Sequence, residues 1–250
     1  MNCTATVITA TFNSQNTLEA TIRSVLAQTY RDFEYIIIDG LSTDRTVDII
    51  RSFEPQFAAK GIAFQWISEK DSGIYDAWNK GLGMSHGSWI SFVGSDDTLR
   101  PEALETMSNA AAEDVDFLSA KARLLRNGSL MRTFGEAWNW SVFRREMKIL
   151  HAGGWHNARY FERFGLFDVS FRIVGDYELL MRAGSSLRVR FVDSYIIDMG
   201  ADGVSSTMVK KSLKEVQQAK VKNGLRTALQ ARIDYYWVLF KIKVKSYTNA

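Results

Sequence analysis

The first hundred residues alternate between short apolar runs and amphipathic repeats of helical period, and this alternation limits the fold more than any other feature. Thr4–Ala10 (TATVITA) is rich in β-branched residues and reads as a strand. Leu18, Ile22, Val25 and Leu26 recur at helical spacing, with Asn16 placed to cap that helix and Glu19 three residues on. Phe33–Ile38 (FEYIII) is a continuous apolar run that stops at Asp39. Val47, Ile49, Ile50 and Phe53 mark a second helix, entered through Ser42-Thr43-Asp44. Ala63–Ile67 reads as a third strand, Ile74–Met84 as a helix and Ser88–Val93 as a fourth strand. Strands separated by helices form βαβ units, so an α/β fold with a mainly parallel sheet flanked by helices is expected. Such sheets bind ligands beyond the carboxyl ends of their strands. Asp39 and the doublet Asp96-Asp97 stand at such ends. Two adjacent carboxylates are costly unless something positive lies between or in front of them.

The second half of the chain has a different texture. Pro101 suits the first turn of a helix over Glu102–Ala112. Val115–Leu125 and the segment after Asn127-Gly128 read as a hairpin with a type I′ turn. Trp138, Trp140, Phe143, Trp155, Tyr160 and Phe161 crowd one region, and Gly165 and Gly184 are placed to end helices. Leu187–Val192 and Tyr195–Met199 read as two late strands, and a helical, basic pattern begins near Ser206. Residues 205–250 carry ten Lys/Arg against two Asp/Glu, whereas the remainder carries 21 against 26. The expected organisation is therefore a body over 1–204 and a basic, aromatic helical extension over 205–250.

The lone Cys3 excludes an internal disulfide, fits a reducing compartment and reads as a small buried hydrophobe. The N-terminus shows no basic leader, and no window offers the ~18 apolar residues of a spanning helix. The expected location is cytoplasmic, with the tail as a means of peripheral attachment to the inner face of the plasma membrane.

Several residue types carry chemistry. Hard oxygen ligands such as Asp96 and Asp97 suit a divalent cation; Mg2+ takes one or two carboxylates and completes its shell with water and substrate phosphates. Each acid also has a plainer role open to it. Asp96-Asp97 can cap a turn, Asp39 can organise one, Asp71 and Lys80 can be a solvated pair, and Asp76 can sit on a helix surface. His86, His151 and His156 do not cluster with cysteine, so a zinc site is not expected.

The order TATFNSQNTLEATIRSVLAQTYRDFEYIIIDGLSTDRTVDII, then GIYDAWNKG and GSWISFVGSDD, resembles the family 2, GT-A-fold inverting glycosyltransferases, particularly those that build bacterial cell-surface polysaccharide. The resemblance covers about Ala5 to Gly200. It implies a sugar moved from a nucleotide diphosphate donor, with UDP expected, to a glycan or lipid-linked acceptor, with Mn2+ or Mg2+ as cofactor. It further implies that Thr9, Thr11 and Asn13 contact the nucleotide, that Asp39 holds the base or ribose, and that Asp71 reaches the uracil. Lys80 and Ser95 would lie near the donor, with Asp96 and Asp97 on the metal. The family's metal motif is Asp-X-Asp or a variant, and this chain has Gly94 at its first position. In GLFDVSFRIVGDYELLMRAG, Asp176 matches the family's catalytic base, and Gly175 stands where many relatives carry Glu. Glu178 competes for that role, and a charge matched to the helix dipole is the plainer reading of Asp176. His151 matches a histidine frequent in relatives; both a phosphate or metal contact and a structural role are open to it.

Two other classes follow from the same residues. A nucleotide-sugar binding module without turnover would account for Gly94 and Gly175. A dinucleotide-dependent oxidoreductase would show a Gly-x-Gly-x-x-Gly turn after the first strand, and TFNSQN has no glycine. Trp138, Trp140 and Trp155 fit either an acceptor groove or the core, with Trp155 favoured for the groove because it follows Gly153-Gly154. The tail ARIDYYWVLFKIKVKSYTNA fits an anionic membrane surface or a helix packed on the body. No nucleic-acid motif accompanies the basic charge, so nucleic acid is not an expected partner.

Overall fold

The structure is a computed structural model that describes residues 4–126, 128–200 and 208–248. Cys3, Asn127 and the expected boundary near residue 204 lie outside the described residues. The chain runs β1 (Ala5–Thr11), α1 (Leu18–Leu26), β2 (Phe33–Asp39), α2 (Thr46–Ala59), β3 (Ala63–Ser68), α3 (Ile74–Met84) and β4 (Trp89–Phe92). It continues through β5 (Thr98–Leu99), α4 (Ala103–Ala110), β6 (Phe117–Arg126), β7 (Ser129–Phe134) and α5 (Trp140–Phe143). It ends with β8 (Trp155–Asn157), α6 (Ala158–Phe164), α7 (Gly175–Met181), β9 (Val189–Gly200), α8 (Val209–Lys222) and α9 (Ala228–Thr248).

All these strands join one sheet in the order β3-β2-β1-β4-β8-β6-β9-β5, with β7 paired to β6. The β3-β2-β1-β4 half is parallel. Its register sets Thr11 opposite Asp39, and Asp39 opposite Ser68, so three strand ends lie level. From β1 the chain first moves outward to β2 and β3 and then returns to place β4 on the other side of β1. That reversal opens a crevice at the carboxyl ends of β1 and β4.

The alternation of side chains along β1 explains why both faces are covered. Val7 packs with Ile22, Ile50 and Leu104 on the α1/α2/α4 face, and Ile8 packs with Trp78, Tyr160 and Leu180 on the α3/α6/α7 face. β2 is buried at every position, which a continuous apolar run allows only in the middle of a covered sheet.

Some expectations need correction. Helix α1 starts at Leu18 behind Thr17, and no side chain caps it; the Leu18 amide bonds to the Ser14 carbonyl, so Asn16 is a turn residue. The two late strands are one strand, β9, because Asp193 and Ser194 fall where its register with β6 shifts, a local irregularity rather than a break. Gly184 opens a single 3-10 turn rather than ending α7, which stops at Met181. Trp155 is fully buried in the core between β4 and β6, so it does not line a groove.

Candidate active site

Three groups of side chains gather along the carboxyl edge of the parallel half-sheet. The first stands at the ends of β1, β2 and β3. Asp39 is fully buried; its Oδ2 accepts from the Ser42 amide at 3.0 Å and the Ser68 hydroxyl at 2.6 Å, and its Oδ1 accepts from the Ser42 hydroxyl at 2.5 Å. Three of its roughly four acceptor positions are thus taken, two by its own turn and one by the end of β3. Asn13 ties that turn to β1: its Oδ1 accepts from the Thr43 amide at 2.9 Å, and its amide donates to Ser42 Oγ at 2.8 Å. Asn13 and Leu41 both have positive φ, of 48° and 65°, the two non-glycine residues to do so among the described residues. Strained backbone of this kind concentrates at functional sites.

The Asp71 carboxylate closes the same group. Its Oδ1 accepts from the Gly73 amide at 2.8 Å, and its Oδ2 lies 2.6 Å from where a Cβ on Gly40 would stand. Lys80 is behind this loop, bonded to the Lys70 carbonyl at 2.8 Å and paired with Glu69 at 2.7 Å, so its charge braces residues 69–71. Thr11 is buried and its hydroxyl has no partner among the described residues. Thr9 is buried too, but its hydroxyl accepts from Tyr35 at 3.1 Å inside the core. The sequence reading passed over Phe12, whose ring is exposed beside Gly40; the signal was a large aromatic directly after a strand end, inside a polar turn.

The second group follows β4. Ser95 meets Ser14 hydroxyl to hydroxyl at 3.0 Å, and Thr21 donates to the Asp97 carbonyl at 2.7 Å, so α1 holds this turn against β1. Asp97 is buried and Asp96 exposed. Burial, reinforced by the negative charge of Asp96, pushes the Asp97 carboxyl up to about 7, against the pull of amides from Gly200 and Gly94. Gly94 explains the geometry. A Cβ there would stand 2.8 Å from Asp97 Oδ2 and 3.0 Å from Asp96 Oδ1, so both carboxylates lean into the space a larger residue would take.

No group of three or more His, Cys, Asp or Glu among the described residues forms a self-sufficient metal site. Two convergent carboxylates, one of them desolvated, do fit a hard divalent cation that brings phosphate oxygens with it. Asp96 and Asp97 are the residues that would hold it.

The third group surrounds Asp176 in the first turn of α7. Tyr75 donates its hydroxyl to Asp176 Oδ1 at 3.3 Å, and His151 Nδ1 stands 4.0 Å from Oδ2. Gly175 lies flat against the Tyr75 ring, since a Cβ there would be 2.7 Å from ring carbon Cε2. His151 bonds in turn to His156, Nε2 to Nε2, at 3.0 Å. Burial lowers the pKa of both imidazoles, with Asp176 opposing the shift at His151 and His151 adding to it at His156. Two neutral rings need one shared N–H; placing it on His156 leaves His151 free to present its Nδ1–H to Asp176.

Glu178 faces away from this group. It is fully buried and paired with Arg182 at 2.5 Å and Lys222 at 2.9 Å; burial raises its pKa, but these partners outweigh burial and lower it. Asp176, by contrast, keeps about a quarter of its side chain exposed. Of the two acids, only Asp176 keeps contact with solvent.

The extension reaches this group as well. Glu215 on α8 accepts three backbone amides with one oxygen, from Arg172 at 3.0 Å, Ile173 at 2.8 Å and Val174 at 3.3 Å. Those residues lead directly into α7, so a side chain from the extension fixes the approach to Asp176.

Residues 6–167 match the model of the family described as "Glycosyl transferase family 2". That span includes the first two groups and ends before Asp176. A PGL/p-HBAD biosynthesis glycosyltransferase of Mycobacterium bovis is 28% identical over 234 residues, covering 89% of this chain and 87% of the relative. The putative teichuronic acid biosynthesis glycosyltransferase TuaG of Bacillus subtilis is 35% identical over 99 residues, 40% of this chain and 38% of that protein. Among solved structures, Staphylococcus aureus TarS 1–349 in complex with UDP-GlcNAc superposes with a TM-score of 0.70 at 16% identity, over 91% of this chain and 69% of that one. Against a longer TarS structure the chain spans 41% of the neighbour. The mannosyltransferase PcManGT of Pyrobaculum calidifontis, in complex with GDP-Man and Mn2+, gives a TM-score of 0.66 at 15% identity, over 90% and 65%. At these identities the solved structures speak for the fold, which is the GT-A-like α/β fold expected from the sequence.

Proposed function

The chain belongs to glycosyl transferase family 2, and from that premise we propose that it transfers a sugar, with inversion, from a UDP-sugar to a glycan or lipid-linked acceptor of the cell surface. The observation that carries the reading is the doublet: a buried carboxyl raised to about 7 beside a second acid, at the reversal point of the sheet. Such a pair is unfavourable alone and becomes favourable opposite a cation that carries a diphosphate. A divalent cation held there would neutralise the negative charge that develops on the departing diphosphate.

The protein's own residues do the rest. Thr11 ends β1 beneath the nucleotide; Asp39, through its remaining acceptor position, and Asp71 grip the nucleoside. Asn13 and Ser95 act mainly by holding their turns, Lys80 by bracing the Asp71 loop, and Thr9 from within the core. Asp176 takes the proton of the acceptor hydroxyl as its oxygen bonds to the anomeric carbon and the bond from that carbon to the diphosphate breaks. Tyr75 and His151 orient Asp176 for this step. UDP complexes of TarS and the Mn2+ complex of PcManGT, both of the same fold, support the choice of donor and cation.

The test is a thermal-shift panel of nucleoside diphosphates with Mn2+, paired with UDP-sugar turnover for wild type and Asp176→Asn. UDP is expected to stabilise most, and Asp176→Asn to abolish transfer while UDP stabilisation persists. Stabilisation by no nucleoside diphosphate would remove the donor site. UDP-sugar binding with no turnover by wild type on any acceptor would favour a binding module instead.

A further inference from the structure

Helix α9 has two apolar sides. One side packs on α8 and buries Ala231. On the other, Leu229, Ile233, Tyr236, Trp237 and Phe240 are each between 56 and 69% exposed. Their spacings of four, three, one and three residues put them within about a 100° arc of one helix. Trp237 and Phe240 stack on each other at 5.9 Å, which leaves the arc a continuous aromatic ledge. A run of large apolar side chains on a helix already packed on its other side marks an interaction surface, not a core that failed to close.

Charge selects the occupant. Residues 205–250 carry ten cations against two acids; Glu215 is buried, Asp234 is paired with Arg226 at 2.9 Å, Lys220 is buried on the Arg145 carbonyl and Lys222 is paired with Asp168 and Glu178, which still leaves seven cations with no acid of the extension to answer them. A second copy would bring another segment of the same net positive charge against the first. A nucleic acid would match the cations but not the apolar ledge. An anionic lipid surface matches both at once: headgroups for the lysines and arginines, and the acyl boundary for aromatic and aliphatic side chains. Trp and Tyr are the residues enriched at that boundary. No helix among the described residues is long and apolar enough to cross a membrane, so the contact is one that lies on the surface.

We infer that α9 docks the protein on anionic membranes through the face formed by Leu229, Ile233, Tyr236, Trp237 and Phe240, with the net positive charge of the extension drawing it to the headgroups. This does not depend on the proposed reaction, because turnover of a water-soluble acceptor and binding to lipid are read separately.

The test is flotation of the full chain with phosphatidylcholine vesicles containing 0 to about 40% phosphatidylglycerol, for wild type, Ile233→Glu/Phe240→Glu, and the control Leu130→Glu/Met131→Glu, whose sites are exposed on β7. Binding is expected to rise with anionic content, fall at high salt and drop at least about tenfold in the α9 variant alone, because two apolar side chains buried in the membrane become acids facing anionic headgroups. Far-UV circular dichroism of the variant should match wild type, since both residues are exposed. Absence of binding at every anionic content overturns the inference. So does equal loss in the β7 control, or a concentration-dependent dimer that the α9 variant abolishes while vesicle binding is absent.

Discussion

Gly94→Asp would restore the acid that the family motif usually has at its first position, and the structure predicts that doing so harms the isolated fold. A side chain built at Gly94 meets Asp97 Oδ2 at 2.8 Å and Asp96 Oδ1 at 3.0 Å from its Cβ. Gly94→Ala carries the steric part alone, about 1–3 kcal/mol by analogy with overpacked interiors. The aspartate adds a third carboxylate about 4 Å from a buried one. At an effective dielectric constant near 20, one such pair costs about 4 kcal/mol, and solvent around the exposed Asp96 shrinks its share to below about 1 kcal/mol. The expected difference between Gly94→Asp and Gly94→Ala is therefore about 2–4 kcal/mol at pH 8 without divalent metal, a large part of the roughly 5–15 kcal/mol that holds a typical domain. Urea unfolding followed by circular dichroism measures it. At pH 5 the gap should narrow, because Asp97, with its carboxyl at about 7, is then protonated in the folded state. Mn2+ with UDP should narrow it again at pH 8. If the two variants unfold within about 0.5 kcal/mol of each other at pH 8 without metal, the three positions do not converge and the argument from Gly94 fails.

Three further outcomes follow from the packing around Asp176. Burial raises the Asp168 carboxyl, but bonds from Lys222 and Ser170 outweigh it and hold it at about 2, so its contribution of about 1–2 kcal/mol is present above pH 4 and lost as pH falls toward 2; Asp168→Asn should lower the urea midpoint at pH 7 and leave it unchanged near pH 2. Glu215→Gln removes the charge from an acceptor of three amides and should cost about 1–3 kcal/mol; kcat is expected to fall several-fold with the donor KM unchanged, and an unchanged kcat would separate α8 from the site. Gly175→Glu alone should unfold at markedly lower urea because the Tyr75 ring fills its space, whereas the double variant Tyr75→Ala/Gly175→Glu should recover part of that loss; additive effects would refute the contact.

Legibility in the sequence tracks how local the cause is. Strands β1 to β4 and helices α1 to α3 were readable because each is set by its own periodicity and by the burial that a parallel sheet demands. The short strands β5 and β8 were not, since two or three residues carry no period, and their pairing with β9, β4 and β6 comes from partners up to a hundred residues away. Among site residues, acids at strand ends stood out because the topology rule names those positions. Roles were harder to read than positions. Asp39 spends most of its acceptors on Ser42 and Ser68, Lys80 spends its charge on Glu69, and Thr9 turns to Tyr35; each assignment depends on a side-chain direction that spacing does not encode. Nor does spacing encode that Glu178 is ion-paired with Arg182 and Lys222.

The two glycines that depart from the family pattern share one physical cause. Read along the chain, Gly94 and Gly175 look like lost groups and so like lost function. In space neither position is empty: the doublet's own carboxylates fill the room beside Gly94, and the Tyr75 ring fills the room beside Gly175 while its hydroxyl reaches Asp176. An acid that disappears without compensation leaves a cavity or an exposed pocket, and packed interiors do not carry such voids without cost. Here each absence is matched by a neighbour already in contact with the group that remains. The substitutions therefore belong with the side chains that fill the space, Asp97 and Tyr75, and a relative with acids at both positions should differ at those two partners while keeping acids at positions 96 and 176.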